Sequence, residues 1–143
     1  MERGTLADTS VAALQHDLAD VDPGATLVGV VRKPTRWFHG SVDANRPELG
    51  PPAALLEDVQ CVEDDLKIQG LCAEGAHNAA WDRVDFEDRY RTYLEESPEA
   101  QAALEALETR RDAGESLVLV CYENTERKRC HRTILREVLA ERP

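Results

Sequence analysis

The sequence predicts an α/β fold: a single three-layer domain over residues 1–143, with a small, mostly parallel sheet flanked by helices. Two short, apolar stretches, TLVGVVR at 26–32 and SLVLVCY at 116–122, predict the sheet. Unbroken apolar runs suit strands covered on both faces, as parallel strands are. Segments with helical spacing precede, separate and follow them. The length of 143 residues, 42% of them apolar, is enough for one core.

Taken in order, GTLAD at 4–8 predicts a short first strand. Thr9 or Ser10 then caps a helix that carries Val11, Leu14 and Leu18 on one side, with His16 at its surface. Asp22-Pro23-Gly24 is a turn signal. The strand at 26–32 follows, so a βαβ unit is expected, with a right-handed crossover if the two strands are parallel. The next stretch, KPTRWFHGSVDANRPELGPP, is loop-like, with four prolines and two glycines. Long ordered loops are often functional. Trp37 and Phe38 read as a stacking surface or as a core anchor. Asn45 and Arg46 read as ligand groups or as partners for the loop's own backbone.

A short helix is predicted over 52–60, with Leu55, Leu56 and Val59 inward. Residues 62–80 read as one broken helix or two short ones, carrying Val62, Leu66, Leu71 and Cys72. Cys61 and Cys72 read as small core residues. Asp85 is placed to cap a helix with Phe86, Tyr90, Tyr93 and Leu94 in one stripe. Ser97-Pro98 starts another, with Ala100, Ala103, Leu104 and Leu107 in period and Gly114 at its end.

Residues 116–139 carry the site. A strand ends near Cys121, and a helix with Ile134, Leu135, Val138 and Leu139 on one side opens on Cys130-His131-Arg132. Ligands of open α/β sheets lie beyond the carboxyl ends of strands, and the amides of a helix start favour anions. A thiol there has a lowered pKa. Arg127, Lys128, Arg129, Arg132 and Arg136 crowd into this segment, although the chain as a whole has a formal charge of −11. Arg32 ends the 26–32 strand at the same predicted sheet edge.

Four readings of this segment stand side by side. The first is a thiol enzyme with Cys130 or Cys121 as nucleophile, assisted by His131 or Glu123. Because His131 directly follows Cys130, the two side chains are expected to diverge on a helix. The second is an oxyanion-cradling loop, since Cys121 and Arg127 are spaced C-x5-R. The intervening YENTE carries two carboxylates and no glycine, so the spacing reads as chance. The third is an anion or nucleotide site without covalent chemistry. The fourth is purely structural.

Composition bounds the setting. Lysine occurs only at 33, 67 and 128, and the surface is acid-rich, as expected in a salt-loving cytoplasm. Such a surface argues against duplex nucleic acid as a partner. No apolar run approaches the ~20 residues of a membrane span, and MERGTLADTS lacks a signal peptide's apolar stretch. A cytoplasmic protein with its four cysteines reduced is expected. No C-x-x-C pair signals structural zinc, and zinc held by Cys121, Cys130 and His131 is the lesser alternative.

The motifs Cys121-Tyr122-Glu123 and Cys130-His131-Arg132 resemble the C-x-E and C-H-R signature of the domain of unknown function 488 (DUF488) family. VGVVRKPTRWFHGSVDANRPELGPPAALL is similar to the V-R-x-P and N-R-P…P-P segments of its archaeal members, as are Trp81, Tyr90 and the GESLVLVCYE approach. The resemblance covers nearly the whole chain. The chain departs at Thr5-Leu6-Ala7-Asp8, where other branches carry a T-I-G-H-S-like opening, so no role for that histidine and serine carries over. The resemblance implies a compact α/β domain and no particular reaction.

Together these readings give an enzyme or binding protein with a small anionic or nucleotide-like ligand as the expected partner. Cys130, Glu123 and His131 are the catalytic candidates, and Arg32, Asn45, Cys121 and Arg132 the ligand-binding ones, with no metal assigned. The alternative is a non-catalytic interaction module that uses the Trp37–Pro52 loop, with the C-x-E and C-H-R residues structural.

Overall fold

The computed structural model describes residues 4–10, 24–32, 36–40, 42–121 and 130–141. Among them, β1 (Leu6–Ser10), β2 (Thr26–Gly29), β3 (Ala44–Asn45) and β4 (Leu117–Cys121) form one parallel sheet in the order β1-β4-β2-β3. Flanking it are α1 (Arg36–His39), α2 (Ala53–Ile68), α3 (Ala73–Arg83), α4 (Phe86–Glu96), α5 (Pro98–Asp112) and α6 (His131–Glu141). The α/β class read from the two apolar runs is the class observed.

Strand β4 is the central one. Leu117 to Cys121 are all buried, with β1 on one side and β2 on the other. Each large apolar side chain removed from water there contributes roughly 1.5–3 kcal/mol. Strands β1 and β2 are therefore not neighbours; β4 lies between them. Helix α6 packs on β1 and β4 through Ile134, Leu135 and Leu139. Helix α4 packs against α6, burying Phe86, Tyr90 and Leu94.

The first strand runs to Ser10, beyond the span read from sequence. Thr9 pairs with Val120 and Ser10 with Cys121, so Thr9 is a strand residue rather than a helix cap, and Ser10 closes the strand. At Thr9, parallel pairing and burial override the capping preference of the hydroxyl. The helix expected over Val11 to Leu18 lies outside the described residues. The second strand continues past Gly29 in its hydrogen bonding, since the Val30 amide donates to the Val120 carbonyl at 3.1 Å.

Residues 52–80 form two helices divided differently from the prediction. Helix α2 is continuous over 16 residues, burying Leu55, Val59 and Leu66, and Gly70, at φ 103°, turns the chain after it. Cys61 and Cys72 are exposed, contrary to expectation. Cys61 lies about 200° around the helix from Val59, on the solvent side. Cys72 precedes α3, where its sulfur accepts the Gly75 amide at 3.3 Å. Asp85 stands where α4 begins but at φ 53°, and its side chain makes no capping bond. Ser97 does cap α5, accepting the Ala100 amide at 3.2 Å. Gly114, at φ 96°, closes that helix, allowing the Glu115 amide to reach back to the Arg110 carbonyl.

Candidate functional site

Three chain segments meet at the carboxyl edge of the sheet. Cys121 is the last residue of β4, Cys130 directly precedes α6, and Asp8 lies within β1. The sulfurs of Cys121 and Cys130 are in direct contact as a disulfide pair. Both residues are buried, whereas Cys61 and Cys72 are free and exposed. Two of the four cysteines expected to be reduced are thus paired. The pairing follows from topology: among the described residues α6 is the next element after β4, and it packs back against that strand.

His131 opens α6 and is buried. Its Nε2 is 2.5 Å from the Val30 carbonyl, and its Nδ1 is 3.7 Å from Cys130 Sγ. Cys130 lies before the first helical turn, so its side chain is free of the helical spacing that was expected to turn the two apart. The carbonyl can only accept, which requires a proton on Nε2 and leaves the Nδ1 lone pair facing the sulfur. Burial holds the ring pKa down to about 4; the hydrogen bond it donates to the Val30 carbonyl raises it, and the Arg132 charge lowers it further. Tyr90 packs edge-on to the ring at 5.6 Å. Its own hydroxyl donates to the Leu49 carbonyl, and burial raises its pKa well above the ordinary value.

Arg132 is 3% exposed. Its Nη1 donates to Cys121 Sγ at 2.8 Å, and its Nε donates to Asp8 Oδ2 at 2.9 Å. The other Asp8 oxygen accepts from Arg136 at 2.7 Å. Asp8 therefore fixes two guanidinium groups from successive turns of α6. Sequence reasoning missed Asp8. Its signal was a carboxylate set among apolar strand residues, at the point where the chain departs from the T-I-G-H-S-like opening.

The remaining candidates fall elsewhere. The Arg32 guanidinium donates to the carbonyls of Gly50 and Pro51 and to the Tyr93 hydroxyl, and lies 5.4 Å from the Tyr93 ring centroid. A Cβ on Gly50 would strike the Arg32 backbone, so only glycine allows this approach. Asn45 accepts the Val31 amide at 3.2 Å and donates to the Val31 carbonyl at 3.0 Å, extending the β2 ladder with a side chain. These are the backbone-satisfying bonds that the loop's composition allowed. Phe38 is fully buried and anchors the loop to the core. Glu123 and Arg127 lie outside the described residues.

Two hollows adjoin the start of α6, with Thr133 lining both. One, of about 310 Å³, is bordered by Asp8 and Arg136. The other, of about 500 Å³, has Trp81 and Phe86 beside Asp82, Asp85 and Asp88. Among the described residues, no helix is long and apolar enough to cross a membrane.

A buried cysteine pair, flanked by an imidazole and a guanidinium, thus lies at the carboxyl edge of the parallel sheet of an α/β protein. Residues 10–143 match the family model described as "Active DUF488-N3 subclade". The chain belongs to the DUF488 family, whose name assigns no reaction. No curated protein and no solved structure matches it.

Proposed function

We propose that this protein is an enzyme whose reduced Cys130 attacks a small anionic, nucleotide-like substrate. The observation that carries this reading is the Nδ1 of His131 at 3.7 Å from Cys130 Sγ, with Nε2 engaged by Val30. His131 accepts the thiol proton as the sulfur bonds to its target, while Arg132 stabilises negative charge on Cys121. A ring with a pKa of about 4 is a weak base at rest. An anion bound beside it raises its proton affinity, so proton transfer is coupled to ligand binding. The hollow beside Arg136 sets one guanidinium against the carboxylates of Asp8 and Glu137, and so repels an anion less than the hollow bordered by Asp82, Asp85, Glu87 and Asp88. Within this proposal Glu123 assists the thiol site, and Arg32 and Asn45 shape its rim by holding the loop that follows β2. Residues 1–143 act as one domain. The acid-rich, lysine-poor composition supports a haloarchaeal cytoplasm as its setting.

The test is alkylation of the reduced protein with iodoacetamide across pH, read at each cysteine by peptide mass spectrometry. Cys130 is expected to react at pH values below the reference ~8.5 of a free thiol. Inorganic phosphate should change its rate while leaving Cys61 and Cys72 unaffected. Labelling of Cys130 only on unfolding would refute the enzyme reading. It would favour the non-catalytic module, for which the internal satisfaction of Arg132 by Asp8 and Cys121 already speaks.

A further inference from the structure

We infer that Cys121 and Cys130 form a redox switch, in which hydroperoxide joins the two sulfurs and silences the thiol site. This rests on the reading of Cys130 as the working thiol and adds its regulation. Four features of the structure support it. Cys121 and Cys130 face each other as a disulfide pair with their Cα atoms 7.5 Å apart, so joining the sulfurs needs only a slight approach of the end of β4 and the start of α6. Arg132 donates to Cys121 Sγ, which favours thiolate on that cysteine. The His131 ring faces the sulfur of the other. Burial of both residues admits a small oxidant more readily than a bulky one.

The steps balance. The Cys121 thiolate attacks one oxygen of the hydroperoxide; an S–O bond forms and the O–O bond breaks. The departing oxygen takes a proton and leaves as water or alcohol, with Cys121 now a sulfenic acid. Cys130 then attacks that sulfur, forming the S–S bond and breaking the S–O bond. Its proton passes to His131 Nδ1 and leaves with hydroxide as water. The two thiols have lost two electrons and the peroxide has gained them. A low-molecular-weight thiol reverses the bond by exchange. Oxidised Cys130 carries no lone thiolate, so substrate chemistry stops.

The experiment is peroxide titration of the reduced full chain, followed by peptide mapping of disulfides. The exposed Cys61 and Cys72 are built-in controls. The expected result is a Cys121–Cys130 link at peroxide levels that leave Cys61 and Cys72 as thiols. Alkylation of Cys130 should be lost with it, and dithiothreitol should restore it. A Cys130→Ser variant should stop at a dimedone-reactive sulfenic acid on Cys121. Oxidation of Cys61 or Cys72 ahead of the pair would overturn the proposal, as would over-oxidation of Cys121 without a link. The wild-type mapping stands even where the variant fails to fold. Failure of the enzyme reading shows instead as an inert Cys130 in the reduced chain. Failure of the switch shows as a reactive Cys130 that oxidises without joining Cys121.

Discussion

The imidazole of His131 bridges the Val30 carbonyl and the Cys130 sulfur, at 2.5 Å and 3.7 Å. Through this ring the end of β2 is tied to the launch of α6, and a thiol gains a nitrogen lone pair as neighbour. Replacing it by His131→Gln should slow Cys130 alkylation by about tenfold or more, within the range positioned bases supply. Rates at Cys61 and Cys72 serve as the reference, and equal slowing at all sites would point to unfolding instead.

The same ring makes stability depend on pH. Its pKa is about 4 in the folded protein and 6.5 as a free group, so the unfolded chain binds the proton more readily. Stability from this group is complete above pH ~6.5 and is lost as pH falls through about 4. The difference of about 2.5 units corresponds to roughly 3 kcal/mol at most. Urea unfolding from pH 7 to 4 should show a smaller loss in His131→Gln than in the wild type. Parallel curves would contradict the ring's neutral burial.

The buried pair of Arg132 and Asp8 should be expensive to break from one side. Arg132→Ala leaves a carboxylate at the sheet edge with only Arg136 to face it, and should cost roughly 3–5 kcal/mol. Arg136 is half exposed and should cost about 1 kcal/mol or less when changed to alanine. Denaturation midpoints of the two variants give the comparison. Equal small effects would mean that Arg132 is not structurally engaged with Asp8.

Asn45 separates ligand binding from backbone support. Its carboxamide satisfies both polar groups of Val31, so Asn45→Ala should cost about 1–3 kcal/mol even with no ligand present. A ligand-contacting asparagine without this role would leave the unliganded protein's midpoint unchanged.

Much of the fold was legible because burial imposes simple patterns. Leu117 to Val120 read as a two-sided strand, and Ser97-Pro98 and Gly114 as the bounds of a helix, because local chemistry and tertiary context agree there. Thr9 belongs to the strand because its pairing with Val120, a long-range interaction, outweighs its capping chemistry. Cys61 and Cys72 were misread because small apolar residues suit either side of a helix, and only the stripe of Leu55, Val59 and Leu66 decides. Within the site, Cys121, Cys130, His131 and Arg132 were visible as a cluster in one segment. Asp8 was not, because its partner Arg132 is more than a hundred residues away along the chain. Arg32 was placed at the right end of its strand, but its donors turn toward Gly50 and Pro51, a direction that only coordinates reveal.

The most direct check on the central claim is ¹⁵N NMR of the His131 ring in the reduced protein as pH is lowered. A proton on Nε2, a bare Nδ1 at neutral pH and titration near 4 are the predicted result. A proton on Nδ1, or titration near the ordinary 6.5, would show that the ring does not offer its lone pair to Cys130.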